Sequence, residues 1–274
     1  GIIIWEITCD YIETTPCSGM ITGTPLLDTI HVVFNETAQN SFEVNLKVYL
    51  EGAFNGTNMT STLNGILPLS HPFNPALPYL GNPVPDWYYT GNTTLSAIPN
   101  ANIVDWVLVE LRDAASVLEA LPGTIIGRQA AFVTNTGQIV KPDGTANLIF
   151  NHLITNNLFA VVYHRNHLGI ISANPLVNLL GVYQYDFTAG ENQVYGGSAA
   201  HKQLSAGKWG MRSGDGNGDG QVQANDKTSV WSLANQAGKS GYLPSDYNMN
   251  RQTNNRDKND FWKPNIGYSS AIPE

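Results

Sequence analysis

Ile103-Val-Asp-Trp-Val-Leu-Val-Glu-Leu111 is an almost continuous run of β-branched and large apolar residues. A run of this length predicts a buried β-strand. The segment Phe42-Glu-Val-Asn-Leu-Lys-Val-Tyr-Leu50 alternates apolar and polar residues, which predicts a strand with one buried face. Further strands are predicted at residues 129–133, 138–140, 158–163 and 181–187, with a hairpin turn at Asn135-Thr-Gly137. Because convincing helical stretches are few, we predict a mainly β fold in the form of an antiparallel β-sandwich.

The composition limits the classes of function. The chain has 274 residues and a net charge of -8, and 42% of its residues are hydrophobic, which is enough for a packed core. The negative charge argues against nucleic acid as a partner, because phosphate binding needs basic patches. No apolar run approaches the roughly 18 residues of a membrane-spanning helix, so we predict no transmembrane segment.

The segment Asp215-Gly-Asn217-Gly-Asp219-Gly-Gln221-Val-Gln-Ala-Asn-Asp226 has the spacing of a calcium-binding loop. Side-chain oxygens fall at loop positions 1, 3, 5 and 12, and they belong to Asp215, Asn217, Asp219 and Asp226. Such a loop turns sharply at position 6, here Gly220, and uses a backbone carbonyl at position 7, here that of Gln221. The segment therefore predicts a Ca2+ site.

The same pattern returns thirty-one residues later. Positions 1, 3, 5, 7 and 12 are now Asp246, Asn248, Asn250, Gln252 and Asp257. Matching tails follow the two loops, Asp226-Lys-Thr-Ser-Val-Trp231 and Asp257-Lys-Asn-Asp-Phe-Trp262. One acidic loop could simply be solvated, but a duplicated loop with matched tails predicts two Ca2+ sites. We expect the first to be stronger, because the second has fewer carboxylates and has Arg251 where the first has Gly220.

Two cysteines, Cys9 and Cys17, lie eight residues apart. They predict a disulfide in an oxidising compartment, with two buried cytosolic thiols as the alternative. Loops of this calcium-binding kind fill best at millimolar calcium, which favours an extracellular location. The predicted parts are residues 1–40, an N-terminal strand segment with the disulfide; 41–205, the β-sandwich with a long loop over 64–99; and 206–274, the calcium-binding domain. Whether residues 1–40 complete this sandwich or pair with a neighbouring molecule is open.

Four segments together resemble a module of secreted and cell-surface proteins of Bacteroidetes. They are Leu46-Lys-Val-Tyr-Leu-Glu-Gly52, Val104-Asp-Trp-Val-Leu-Val-Glu-Leu-Arg-Asp113, Tyr163-His-Arg-Asn-His-Leu-Gly169 and Trp209-Gly-Met211. The resemblance covers about residues 42 to 265 and implies a β-sandwich followed by a dockerin-like, loop-helix calcium-binding duplication. It also implies extracellular display, adhesion or scaffolding, and no known enzymatic activity.

Two histidines invite a metal interpretation. His164 and His167 are three residues apart, which on a helix would suit zinc, but the run before them predicts a strand. Residues three apart on a strand point to opposite faces, so we expect a hydrogen-bonded structural role.

Three carboxylates invite a catalytic interpretation. Asp105, Glu110 and Asp113 lie on or beside one strand, and a pair of carboxylates is what glycoside hydrolysis requires. Asp105 and Glu110 are five apart, so a regular strand separates them onto opposite faces. Arg112 offers a simpler partner in a structural ion pair, and we expect no catalysis here.

Three functions compete at this point. The first is a non-enzymatic extracellular structural or adhesive protein of the cell surface, a subunit of a fibre, whose partners are other surface proteins or copies of itself. The second is a dockerin-type module that docks onto a cohesin-like partner through residues 227–233 and 258–262. The third is a carbohydrate-binding accessory domain of a polysaccharide-degrading enzyme, in which Trp87-Tyr88-Tyr89 stacks on glycans.

Overall fold

The computed structural model describes residues 41–74, 87–91, 93–237 and 239–274. The described part of Gln39–Glu274 forms one compact unit. It is mainly β, as predicted, and its strands within these ranges are β1 (Ser41–Lys47), β2 (Ile103–Ala114), β3 (Ile125–Thr134), β4 (Ile139–Val140), β5 (Leu148–Asn151), β6 (Asn157–His164), β7 (His167–Ile171), β8 (Val177–Leu179), β9 (Val182–Asp186), β10 (His201–Ser205) and β11 (Lys208–Met211).

The larger sheet has the order β4-β3-β2-β6-β7 and is antiparallel throughout. Strand β2 lies at its centre, and all twelve of its residues are buried. Its Val109 pairs with Gln129 of β3 on one side and with Val162 of β6 on the other. The long apolar run of the sequence therefore forms the middle of the sheet, where both faces are covered.

A second sheet has the order β5-β1-β9-β8. Strand β1 runs antiparallel to β5 and parallel to β9. Its inward residues Val44 and Leu46 belong to the same hydrophobic cluster as Trp106 and Phe132 of the larger sheet. The two sheets thus share one core, while their arrangement as a sandwich stays a prediction.

The predicted hairpin is confirmed, because β3 and β4 pair around the turn and Gly137 has a φ of 89° there. Strands β5, β7, β8, β10 and β11 were not predicted. The described parts of the predicted loop 64–99 contain a short helical turn, Asn64–Ile66, and one bridge between Ser70 and Thr94. The predicted disulfide of Cys9 and Cys17 lies outside the described residues.

The hairpin of β10 and β11 leads into the two predicted calcium loops. Each loop ends in a short helix that begins with a wide π-helical stretch. Helix α1 consists of Asp226–Trp231 and Ser232–Ala234, and helix α2 of Asp257–Trp262 and Lys263–Asn265. Among the described residues, no helix has the length and apolarity to cross a membrane. The boundary predicted at residue 205 falls between β10 and β11 and stays a prediction.

Candidate metal centre

In the first loop, residues 215–226, the chain winds around the carboxylate of Asp215. Asp215 Oδ1 accepts hydrogen bonds from the backbone N–H groups of Gly218 (2.8 Å) and Asp219 (3.2 Å). Its Oδ2 accepts one from Gly220 N (3.1 Å). These bonds are possible because Gly218 and Gly220 adopt left-handed φ values of 71° and 74°. Positions 4 and 6 of the loop are therefore the places where glycine is favoured.

The carboxylate of Asp226 closes the first loop from its far end. Its Oδ1 accepts from Gly216 N (2.8 Å), and its Oδ2 accepts from Gln223 N (2.7 Å). Asp219 Oδ2 in turn accepts from the side-chain amides of Asn217 and Gln223, each at 2.8 Å. The predicted ligand side chains of this loop are therefore held within the loop by its own hydrogen bonds.

The second loop, residues 246–257, repeats the main hydrogen bonds of this pattern, at positions 3, 5, 6 and 9. Asp246 Oδ1 accepts from Asn250 N (2.9 Å), and its Oδ2 accepts from Arg251 N (2.7 Å). Asp257 Oδ1 accepts from Asn248 N (3.1 Å), and its Oδ2 accepts from Asn254 N (2.8 Å). The duplication seen in the sequence is thus also a duplication of structure.

The second loop reaches the same path without the glycines. Met249 and Arg251 stand at positions 4 and 6 with φ values of 56° and 76°. A left-handed conformation costs an ordinary residue roughly 1–2 kcal/mol. Met249 is held there by complete burial, and Arg251 donates from Nε to Thr62 O (2.6 Å). The arginine side chain therefore points away from the loop centre, as expected for a site that still admits a cation.

Position 7 lies in an antiparallel bridge in both halves. Gln221 is bridged to Ser269, with hydrogen bonds from Val222 N to Tyr268 O (2.9 Å) and from Ser270 N to Gly220 O (2.8 Å). In this pairing the N–H and C=O groups of Gln221 itself point away from the partner strand. Gln252 is bridged to Ser240 in the same way, with Gly241 N bonded to Arg251 O (2.8 Å).

One buried oxygen of the second loop lacks a partner. Asn248 Oδ1, at loop position 3, is buried and accepts no hydrogen bond. A buried carbonyl oxygen without a donor costs free energy, which a bound cation would recover. The donor set of carboxylates, side-chain amides and backbone carbonyls is the one that Ca2+ prefers, so the residues present fit this ion.

The electrostatics of both loops also favour a cation. Asp215, Asp226, Asp246 and Asp257 are all buried, and none takes part in the ion pairs found among the described residues. Burial, together with Asp226 and Asp219, raises the pKa of Asp215 well above its usual value. Buried carboxylates normally need a compensating charge, and a divalent cation supplies it.

The same effect is seen in the other carboxylates. Burial raises the pKa of Asp226 to about 7 and that of Asp246 to about 6, and it also raises the pKa of Asp257. The guanidinium of Arg165 acts in the opposite direction on Asp246. Within the described ranges no group of three or more His, Cys, Asp and Glu side chains is arranged to hold a metal. A calcium loop of this type also draws on Asn side chains and backbone carbonyls.

Each half of the duplication completes the other. Trp231, at the end of the first tail, donates from Nε1 to the carbonyl of Asn254 in the second loop (2.9 Å). Trp262 donates in the same way to Gln223 in the first loop (2.9 Å). Lys258 lies over the ring of Trp231 and Lys227 over that of Trp262, 4.6 and 6.0 Å from the centroids. The two tryptophans at the ends of the tails therefore cap the opposite loops.

The histidine prediction was half wrong. His164 and His167 end β6 and begin β7, and the two-residue turn between them brings their rings to 4.7 Å instead of onto opposite faces. The hydrogen-bonded role is seen: Gly52 N donates to His167 Nε2 (3.1 Å), and His164 Nε2 lies 3.2 Å from Asp105 Oδ2. Burial lowers the pKa of both rings, which favours their neutral forms.

The three carboxylates of β2 lie in separate environments. Asp105 bonds to His164 and to Arg165 Nε (3.0 Å), so its cationic partner is Arg165. The irregular register at Asp105 turns it towards the β6–β7 turn. Glu110 does pair with Arg112 (2.7 Å), as predicted, and Asp113 accepts from Thr155 N (2.7 Å). Each carboxylate thus already has partners.

The aromatic triplet is divided between core and surface. Trp87 is 3% exposed and stacks on Tyr163 with centroids 5.9 Å apart, whereas Tyr88 is 47% exposed. A flat three-ring platform for sugars is therefore not present.

Comparisons with family models, with curated proteins and with solved structures find no match to this chain. The paired loops, their capping tryptophans and the sheets that carry them are accordingly interpreted from their own residues.

Proposed function

We propose that this chain is a non-enzymatic, calcium-binding structural or adhesive protein of the cell surface, of the kind that builds extracellular fibres. The observation that carries the proposal is the burial of four aspartates in two loops, none of which forms a salt bridge among the described residues. Such groups are costly in a folded protein unless an ion neutralises them.

Calcium fits these loops through a defined set of oxygens. In the first loop the ligands would be Asp215, Asn217, Asp219, Asp226 and the Gln221 carbonyl; in the second, Asp246, Asn248, Asn250, Asp257 and the Gln252 carbonyl. Small, rigidly octahedral Mg2+ is less suited to so many protein oxygens. Calcium is plentiful outside cells, which agrees with a secreted protein and with the predicted disulfide.

The role of the ion in this proposal is to stiffen the C-terminal segment against the sheets. The second loop is fastened to the β6–β7 turn by Asn166 Nδ2, which donates to Asp246 O (2.9 Å). Arg165 donates to Leu243 O beside the same loop. The shared hydrophobic core supports the sandwich form of the two larger sheets, and the duplicated loops support the dockerin-like form of the segment that follows them.

Two features argue for a structural role over a docking or catalytic one. Trp231 and Trp262 are occupied within the molecule, so they are not offered to a cohesin-like partner. The carboxylates of β2 are bound in ion pairs and hydrogen bonds, which suits a scaffold. Other surface proteins or copies of this chain are its proposed partners.

Hydrogen exchange with and without a calcium chelator tests the proposal. We expect chelation to raise exchange between about residues 212 and 265 and to leave β2, β3 and β6 protected, because ligand binding stabilises the part that holds the ligand. Equal loss of protection in the strands, or no change anywhere, would contradict it.

A matched variant makes the test specific. Asp143→Ala removes an aspartate whose Oδ1 caps an exposed turn through Thr145 N (2.8 Å), far from either loop in sequence. This variant should keep the full response to chelator. Negative-stain electron microscopy of native material then distinguishes the two forms of the proposal. Fibres would indicate a fibre subunit, and single particles would indicate an isolated surface protein.

A further inference from the structure

Three side chains that are distant in sequence meet behind the first loop. Lys202 of β10 donates from Nζ to Glu51 Oε1 and to Asn265 Oδ1, the second bond at 3.2 Å. Asn265, at the end of α2, donates from Nδ2 to Glu51 Oε2 (2.7 Å). An amine, a carboxamide and a carboxylate are thus in mutual contact.

The orientation of the carboxamide is fixed by two further contacts. Nδ2 of Asn265 also donates to Ser213 O (2.8 Å), and Oδ1 also accepts from Arg212 Nη1 (3.1 Å). Both neighbours of the amide nitrogen are acceptors, and both neighbours of the amide oxygen are donors. The carbonyl is therefore polarised by two cations, while its NH2 group faces the carboxylate.

Burial separates this cluster from most of the solvent. Asn265 and Glu51 are buried, whereas the Lys202 side chain is 28% exposed. The Arg212 guanidinium is covered by the Tyr268 ring, 3.6 Å from its centroid. Groups held in contact in this way react as if they were present at very high concentration.

We propose that Lys202 and Asn265 form an intramolecular isopeptide bond. The Lys202 amine attacks Cγ of Asn265, a new C–N bond forms, the bond from Cγ to Nδ2 breaks, and one ammonia molecule leaves. The product is a secondary amide between the two side chains. No oxidant, reductant or metal takes part, because the step exchanges one amide for another.

Each contact has a part in this reaction. Glu51 Oε1 takes a proton from the Lys202 nitrogen, and Oε2 lies against the nitrogen that must leave as ammonia, so one carboxylate can act as base and then as acid. Arg212 faces the oxygen on which negative charge develops during attack. Glu51 is catalytic in this step, and Arg212 stabilises its transition state.

The bond would change the connectivity of the molecule. It joins β10 to the end of α2 and so closes a covalent ring over residues 202–265, which contains both calcium loops. The inference does not depend on calcium, because none of its side chains belongs to the loop ligands.

Mass measurement of the full-length denatured chain is the first test. We expect the wild-type mass to lie below the sequence mass by one ammonia, and Glu51→Gln and Lys202→Arg to restore the full mass. Lys208→Arg is the matched control: this lysine of β11 donates to Thr57 O and lies over the rings of Tyr49 and Phe54, so the loss should persist.

A peptide map of the wild-type chain decides the question, because succinimide formation at an asparagine–glycine step also releases ammonia. The expected result is a branched peptide that joins the Lys202 and Asn265 segments. Linear peptides for both segments in folded wild-type protein would overturn the proposal and leave a simple ion pair. The peptide map uses only the wild-type protein, so its result does not depend on the folding of a variant.

Discussion

The two predicted calcium loops trace similar backbone paths with different residues. The first uses glycine at both left-handed positions, Gly218 and Gly220, and gathers three carboxylates. The second places Met249 and Arg251 at those positions and gathers two carboxylates. The first loop is thus shaped by its own sequence, and the second is shaped largely by what surrounds it.

The surroundings of the second loop explain how it keeps its shape. Met249 is buried in the core, Arg251 is anchored to Thr62, and Asn166 holds the carbonyl of Asp246. Strained conformations persist where tertiary contacts over-determine them. One copy of a duplicated motif can therefore lose its glycines when tertiary contacts hold the same backbone conformation.

The largest effect should come from removing the first carboxylate of each loop. Asp215→Ala should abolish most of the calcium-dependent stabilisation, about 3 kcal/mol, because three loop N–H groups lose their acceptor together with a charged ligand. Asp246→Ala should remove a smaller part. Thermal unfolding with and without calcium measures both.

Calorimetric titration of the same variants sets the order of the sites. Wild-type protein should show two affinities, and the Asp215→Ala variant should lose the tighter one. Equal affinities in the wild type, or a larger loss from Asp246→Ala, would contradict the prediction that the first loop binds calcium more tightly. Asp143→Ala should behave like the wild type.

A smaller effect is expected from pH. Folded-state pKa values of about 7 for Asp226 and about 6 for Asp246 lie above the usual 3.8, so the folded chain binds protons more tightly than the unfolded one. Without calcium, the contribution of these two carboxylates to stability is then greatest below the usual pKa and falls as the pH rises towards 7. Chelated protein unfolded by urea at several pH values measures this fall.

Calcium should act in the reverse sense, because protons compete for the same oxygens. The increase in unfolding temperature that calcium gives at about pH 7.5 should largely vanish at about pH 5. As the pH falls, the first loop should lose its ion before the second loop does. A calcium effect that is constant over this range would show that these carboxylates do not bind it.

The smallest effect concerns the backbone at position 6. Arg251→Ala and Arg251→Gly both remove the bond to Thr62, but only glycine relieves the φ of 76°. The glycine variant should be more stable than the alanine variant by about 1 kcal/mol. Equal stability, measured by urea unfolding, would mean that the left-handed conformation costs nothing here.

The sequence was most informative where the signal is local. The apolar run of β2 and the turn at Gly137 each depend on neighbouring residues, and each appears where it was predicted. The rings of His164 and His167 were misplaced because Arg165 and Asn166 form a turn with no glycine or proline to mark it.

Long-range contacts could not be predicted in the same way. Trp231 and Trp262 each contact the loop of the opposite half. The spacing of residues along the sequence does not specify that arrangement. Glu51, Lys202 and Asn265 are separated by 151, 63 and 214 positions, and no spacing rule connects an amine with a carboxamide over such distances.

The exchanged tryptophans also determine how this segment fails. Trp231 belongs by sequence to the first half but seals the second loop, and Trp262 does the reverse. Opening one loop also removes the tryptophan that covers the other loop. The two halves should therefore open together and not independently. If the loops bind calcium as proposed, one retained ion would then keep both loops covered through a brief fall in calcium.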